Sequence, residues 1–431
     1  MLGTHKYFSA YFLKTYLTQE EINIFSYSSK DIRTKCLQLG LIRYVLNHEA
    51  SLAYYNSLYK RLGRKIVAQV ELGARIISIN LSCSNYVQLD KNVLGSHLES
   101  LDLHQNKLIN IDIFNYEGIK YLNLLNSVNI IDVSKFTKTE VLFYGGTKDK
   151  YLNIEGLNKL RNLKKLFLEN CSISDISLPN VTHLVFNICP MIRNLDMFSN
   201  VISLMIYNCN QIVNFQALVS LEVLTIINCP NITNSHIYVV SKLKKITSIY
   251  IEKCNRITDI HGFQNLNELS IFRCSKLRKI SNINNIKLLF ILNCPALERL
   301  ENINSISKID IRDCANLQHI VTINLVFSLQ LFRCGIIHIS GINHMNDIML
   351  DNCMFIDDLS NINANHIQLH SCLNVDDMST LPSSVHFLTL VCMMINDVSQ
   401  LTFLDKLILY GCPNINDVSM IKNVQYLELH P

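Results

Sequence analysis

The chain has 431 residues, 49% of them hydrophobic, with 39 lysines and arginines against 35 aspartates and glutamates for a formal net charge of +4. That is enough apolar material for a large continuous core, and too mild a charge to draw the chain to nucleic acid. Nowhere is there a run of about 18 apolar residues that would span a membrane.

Residues 1–72 read as a small helical domain. Phe8, Tyr11, Phe12, Tyr16 and Leu17 form one apolar stripe at helical spacing. Thr18 with Glu21 three residues later fits a capping box, after which Ile22 and Phe25 begin a second stripe. Two further helices are expected, through Asp31 to Val45 and through Ser51 to Leu62. A helical block in this place would cover the open apolar end of a repeat array.

From residue 76 to 431 the texture changes to such a repeat. Pairs of aliphatic residues two apart return at Ile79 and Leu81, Leu101 and Leu103, Leu122 and Leu124, and Leu142 and Tyr144. From Leu166 and Leu168 onward a cysteine follows almost every pair, at Cys171, Cys189, Cys209, Cys229, Cys254, Cys274, Cys294, Cys314, Cys334, Cys353, Cys372, Cys392 and Cys412. Asn106 and Thr147 hold the same place upstream. The unit L-x-L-x-x-C marks a short strand whose alternate side chains point inward. A period of about twenty residues is that of a leucine-rich repeat. The expected fold is an α/β solenoid: a leucine-rich repeat horseshoe of about 18 short repeats with a parallel concave sheet, capped by the N-terminal helical domain. Twenty residues leave no room for a long return helix, so turns and short 3₁₀ arcs are expected on the convex side.

Fifteen cysteines invite metal or disulfide chemistry, but no C-x-x-C pair occurs and each candidate ligand comes from a separate turn. Equivalent Cβ atoms on stacked strands also point side by side, which is poor disulfide geometry. The cysteines are therefore read as a buried ladder of small, weakly polar groups, each able to donate to a neighbouring carbonyl. Free thiols in this number fit a reducing compartment, and Met1-Leu2-Gly3-Thr4-His5-Lys6 shows no secretory pattern, so a cytoplasmic location is expected. A second recurring signal is Asp-x-Ser after the cysteine, as in Ile173-Ser174-Asp175-Ile176-Ser177, Asp358-Leu359-Ser360, Asp397-Val398-Ser399 and Asp417-Val418-Ser419. These residue types form tight turns, and carboxylates that recur in many turns are structural.

Function should reside in the positions beside the leucines, which face the concave surface and are free of the core. Phe167, Tyr207, Tyr250, Phe272, Phe290, Arg312, Phe332 and Tyr410 are the candidate partner-binding residues, with the middle of the array, flanked by Arg333, as the best stretch. Tyrosine and arginine are favoured at binding hot spots. The competing reading is that β-propensity places aromatics in strands and that the rings simply stack on one another. No paired nucleophile, H-E-x-x-H, G-x-S-x-G or phosphate-binding glycine loop is present. No catalytic residue, metal or cofactor is expected, and the partner is a protein, with no nucleic acid or membrane partner and a monomeric chain.

The segment Leu13-Lys14-Thr15-Tyr16-Leu17-Thr18-Gln19-Glu20-Glu21-Ile22-Asn23-Ile24-Phe25, followed by Ser28-Ser29-Lys30-Asp31-Ile32-Arg33, resembles a divergent F-box. The repeat at Cys229-Pro230-Asn231-Ile232-Thr233-Asn234 is similar to the cysteine-containing leucine-rich repeats common in F-box proteins. The resemblance implies a substrate-recognition subunit of a cullin-type ubiquitin ligase. Tyr11, Leu13, Tyr16, Leu17, Ile22 and Phe25 would hold the ligase adaptor and the repeats would hold the target. The alternative is a leucine-rich repeat scaffold or regulatory binding protein with no ligase link, favoured by the absence of the usual Leu-Pro at the F-box entry and of any tryptophan.

Overall fold

A computed structural model describes strands 42–46 and 74–80 and residues 98–430, apart from 106–116 and short gaps at 128, 148–149, 174–176, 213, 344, 416–417, 420 and 422–423. The F-box-like segment lies outside the described residues. Where the sequence suggests a helix through Asp31 to Val45, the strand Ile42–Leu46 is found, paired in parallel with Ala74–Asn80. Its sequence Ile-Arg-Tyr-Val-Leu is rich in β-branched and aromatic residues, which fit a pleated surface better than a helix.

The chain divides into two compact units, Met1–Met191 and Ile192–Pro431. Both are built on the same strand pattern. In the first unit the strands Tyr121–Leu125, Val141–Gly145, Lys165–Glu169 and His183–Asn187 pair in parallel, residue for residue. Leu122, Leu124, Leu142, Tyr144, Leu166, Leu168, Leu184 and Phe186 are all buried beneath them. In the second unit the series runs from Ser203–Tyr207 to Tyr426–His430, again parallel and in register. The fold is a parallel-strand solenoid of the leucine-rich repeat type, mostly sheet with little helix. The two aliphatics of each strand supply the inward face and the alternate positions face solvent.

Most of the described strands are followed by one residue in the left-handed region, the strand Val141–Gly145 being an exception. Asn126, Asn170, Asn208, Asn228, Asn293 and Asn352 occupy this place with φ between 52° and 59° in all but Asn170, at 50°. Asparagine tolerates that conformation better than other side chains with a Cβ. The kink turns the chain inward, so the following residue is buried. That residue is the cysteine, and all thirteen described cysteines are free thiols, eleven of them buried. Several thiols donate across to the previous repeat: Cys372 to the Leu350 carbonyl at 3.4 Å, Cys189 to Leu168 at 3.5 Å and Cys353 to Leu331 at 3.6 Å. Upstream, Ser127 is buried and donates its hydroxyl to the Leu103 carbonyl in the same way.

Cys392 departs from the expected ladder. It is exposed, it has the left-handed φ of 52°, and the buried ladder place belongs to Met393. The strand Phe387–Val391 sets this register: counting L-x-L-x-x-C from Leu388 puts the ladder place on residue 393, not 392.

The return segments are of three kinds. Short 3₁₀ turns occur at Leu157–Lys159 and Asp196–Phe198, and a helix at Asn234–Val240. Asp-x-Ser turns form as the composition suggests: the Ser360 N–H donates to the Asp358 carboxylate at 2.8 Å, with equivalent bonds at Asp377 and Asp397. These backbone bonds hold the three carboxyls below their ordinary range. Between Asp259 and Asn343 the return path is itself sheet, contrary to the expectation of arcs throughout. Lys279–Leu292, Arg299–Arg312 and His319–Phe332 are 14-residue strands kinked at left-handed corners. The return halves pair as well, Ile283 with Ile303 and Ile303 with Ile323, and likewise Asn284 with Asn304 and Asn304 with Asn324.

Asparagine ladders run along these corners. Asn304 donates to Asn284 and Asn324 donates to Asn304, both at 2.9 Å and both across 20 residues. Asn302 and Asn282 meet at 3.2 Å, as do Asn285 and Asn265. An amide has a donor and an acceptor on one planar group, so identical copies at the strand spacing can bond in series.

Candidate functional site

On the solvent face of the second unit, strand register places Tyr250, Ser270, Phe290, Asp310 and Gln330 in one row and Glu252, Phe272, Leu292, Arg312 and Phe332 in the next. Side chains from the two rows lean together diagonally, within reach for rings on neighbouring strands. Tyr250 stacks on Phe272 with ring centres 4.8 Å apart and 26° between planes, and Phe272 meets Phe290 edge-on at 5.2 Å. The Arg312 guanidinium lies 5.7 Å from the Phe290 ring centre and 4.6 Å from that of Phe332. Five of the expected residues thus form one continuous chain of contacts. Each ring is half-buried by its neighbours, so the competing expectation that the rings stack on one another also holds.

The cluster is held rigidly. Asp310, only 5% exposed, accepts two bonds from Arg312, at 2.8 Å to Nε and 2.9 Å to Nη2, and has Lys308 Nζ at 3.6 Å. A planar guanidinium gripped at one edge by a carboxylate and faced by two rings has little rotamer freedom left. The bond to Asp310 holds the Arg312 guanidinium above its ordinary range, so it is charged at every accessible pH. At the other end the Tyr250 hydroxyl donates to Glu252 at 2.9 Å. Burial first, then this carboxylate, pushes the phenol up to about 12. Glu252 also pairs with Arg273 at 3.1 Å, and Arg333 grips Asp313 at 2.6 Å. The cluster therefore has a rim of cations already neutralised by carboxylates.

The remaining candidates stand apart from it. Phe167 lies in the first unit, where it contacts Phe143 at 5.6 Å, and Phe143 in turn contacts Tyr121 at 5.7 Å. The Tyr207 hydroxyl donates to Met205 Sδ at 3.4 Å. Tyr410, 51% exposed, sits beside His430 at 5.4 Å. Tyr11, Leu13, Tyr16, Leu17, Ile22 and Phe25 lie outside the described residues. Among the described residues no group of three histidines, cysteines or carboxylates is placed to hold a metal ion, and no helix is long and apolar enough to cross a membrane.

The histidines are less scattered than they look in the sequence. His366 meets Asp347 at 3.3 Å, His386 meets Asp405 at 3.0 Å and His370 meets Asp351 at 4.0 Å. Each partner is 19 residues away, one repeat along the chain. These pairs tie neighbouring repeats, and His366 Nε2 also meets the Thr389 hydroxyl at 3.4 Å, a bond that reaches on to the next repeat.

No family model matches the chain, and no curated protein matches it. Among solved structures it is similar to the internalin InlF of Listeria monocytogenes, with 16% identity, 84% of this chain and 82% of that chain covered and a TM-score of 0.35. It is similar also to the plant peptide hormone receptor RGFR1 in complex with RGF2, at 13% identity over 82% of this chain and 78% of the receptor, TM-score 0.28. A third likeness is to TLR13 in complex with ssRNA13, at 15% identity over 84% and 67%, TM-score 0.27. The class of the fold rests on the chain's own geometry: in-register L-x-L strands, a left-handed corner after most of them, often asparagine, and a buried ladder define a leucine-rich repeat solenoid.

Proposed function

We propose that the protein is a non-enzymatic binding module whose solvent-facing cluster Tyr250, Phe272, Phe290, Arg312 and Phe332 takes a protein segment. The observation behind this reading is the unbroken ring and guanidinium contact chain on an otherwise regular sheet. Large, rigid, amphipathic groups supply contact area at low entropic cost, and Tyr, Trp and Arg dominate binding energy where they are found together. The neutralised rim selects for an apolar anchor over a highly charged ligand. Free thiols throughout the described repeats favour a reducing compartment.

Peptides selected from a random phage-displayed library on the full-length protein test this reading. Phe290→Ala should raise the Kd of the selected peptides roughly 30-fold, about 2 kcal/mol, with thermal unfolding little changed. Selected peptides that bind this variant as tightly as the wild type would place the binding surface elsewhere.

A narrower role, substrate recognition for a cullin-type ubiquitin ligase, rests on the F-box resemblance of residues 13–33. It predicts that the full-length protein retains purified ligase adaptor on a column and that a double substitution of Leu17 and Ile22 by aspartate releases it. No retention by the unaltered chain would leave the scaffold reading alone.

A further inference from the structure

The repeat from Cys229 to Cys254 is 25 residues long, whereas those from Cys209 to Cys229 and from Cys254 to Cys274 are 20. The excess stands as the helix Asn234–Val240. Before it, the return segment makes only tight turns, with the Leu218 N–H bonded to the Phe215 carbonyl at 3.1 Å and the Leu221 N–H to Leu218 at 3.0 Å. After it, the return path is the strand Asp259–His261. A helix is wider than either neighbour, so its flank makes a step. A recess lies along that step, lined by Gln216, Val219, Tyr238, Lys242, Leu243 and Lys244.

Two features distinguish this recess from an ordinary surface irregularity. Val219 is 59% exposed and Tyr238 44% exposed, so two large apolar side chains from successive repeats are left uncovered at one place. Lysines border them: Lys242 Nζ lies 4.5 Å from the centre of the Tyr238 ring. Elsewhere Lys164, Lys253 and Lys308 each sit against a carboxylate, at 2.8, 3.7 and 3.6 Å. Among the described residues no carboxylate lies within 4.0 Å of Lys242 or Lys244. The recess is apolar at its floor and positive at its edge, with its charge unmatched by any carboxylate among the described residues.

We propose that this recess is a second docking surface, independent of the aromatic cluster, and that its occupant is a short acidic peptide segment carrying a large apolar side chain. The apolar group covers Val219 and lies along the Tyr238 ring, removing both from water. Carboxylates on the same segment meet Lys242 and Lys244, where charge complementarity selects the sign of the partner. Tyr238 also makes a ring contact with His261 at 5.2 Å.

The probe is a fluorescein-labelled hexapeptide alternating glutamate with leucine and phenylalanine, titrated with the full-length protein and followed by anisotropy. Saturable binding that weakens with salt is expected. The double substitution Lys242→Glu and Lys244→Glu should weaken it about tenfold or more, and should improve binding of the matching peptide with lysine in place of glutamate. Val219→Asp should also weaken the acidic peptide, and Phe290→Ala should leave it unchanged, which separates this surface from the aromatic cluster. Val219, Lys242 and Lys244 all border open solvent, so circular dichroism melts of these variants should overlay those of the parent. Equal affinity for acidic and basic peptides would overturn the proposal, as would undiminished binding by the lysine-reversed variant or equally strong displacement by a single-stranded oligonucleotide.

Discussion

Cys294→Asp is expected to cost about 3 to 5 kcal/mol of stability in urea unfolding. Cys294 is wholly buried in mid-ladder, with its thiol 3.7 Å from the Leu292 carbonyl. A thiol there donates weakly and otherwise behaves as a small apolar group. A carboxylate brings a charge with no cation beside it and acceptors facing acceptors. Cys294→Ser should be milder, about 1 to 3 kcal/mol, because a hydroxyl keeps the donor but shortens the reach. Equal and small losses in the two variants would show that the position is wet, contrary to the buried ladder.

The second large effect is alkaline. Burial pushes the thiols of Cys229 and Cys294 up to about 12, and those of Cys274, Cys334 and Cys372 up to about 11, from an ordinary 9.0. Above pH 9 the unfolded chain releases these protons while the folded chain keeps them, so stability falls as pH rises. The stabilisation is fully present below pH 9 and is lost across the window from 9 to about 11 or 12. Each thiol contributes on the order of 3 kcal/mol to this loss. The melting temperature should therefore drop steeply between about pH 9 and 11, and Cys294→Ala should flatten the curve by one thiol. A melting temperature constant across that window would contradict the dry ladder.

Much of the architecture is legible in the sequence because the L-x-L strand imposes period two and the ladder imposes period twenty, and both constraints act on every repeat. Cys392 shows the limit of pattern by residue type. A cysteine one place early satisfies the eye, but only residue 393 lies on the inward side of the kink after Leu390. The kink is itself visible as the recurring pair Asn-Cys at 170–171, 208–209, 228–229, 293–294 and 352–353. It becomes meaningful once asparagine is weighed as a residue that tolerates positive φ. The sheet along the return path is hidden for a related reason: Ile-x-x-Ile spacing at Ile280, Ile283 and Ile286 looks helical, yet left-handed corners at Asn282 and Asn285 reset the phase of the strand. Abundant asparagine, which reads as compositional bias, is in part a set of hydrogen-bonded ladders.

The aromatic cluster is legible as a set of residues and not as a place. Alternation shows which residues leave the core, but strand register and diagonal lean decide that Phe272 meets both Tyr250 and Phe290, while Tyr207 turns to Met205. The recess beside the helix Asn234–Val240 escapes the sequence because Lys242 and Lys244 supply only half of it. Val219, its other half, lies in the preceding repeat, and only the difference in repeat length brings the two together.

The asparagine ladders also bear on how such a chain can change over time. Between Asp259 and Phe332 every column, from the inward aliphatics to the corner amides, advances by the same number of residues, so one whole period can be lost or duplicated and the cut ends still meet in phase. An insertion of another length has to be taken up outside the columns, as the five extra residues between Cys229 and Cys254 are by the helix Asn234–Val240, which leaves the flanking strands in register. The binding face can thus grow or shrink only in whole strands, about 4.8 Å at a time, and its aromatic groups can be moved apart or together without redesigning the core beneath them.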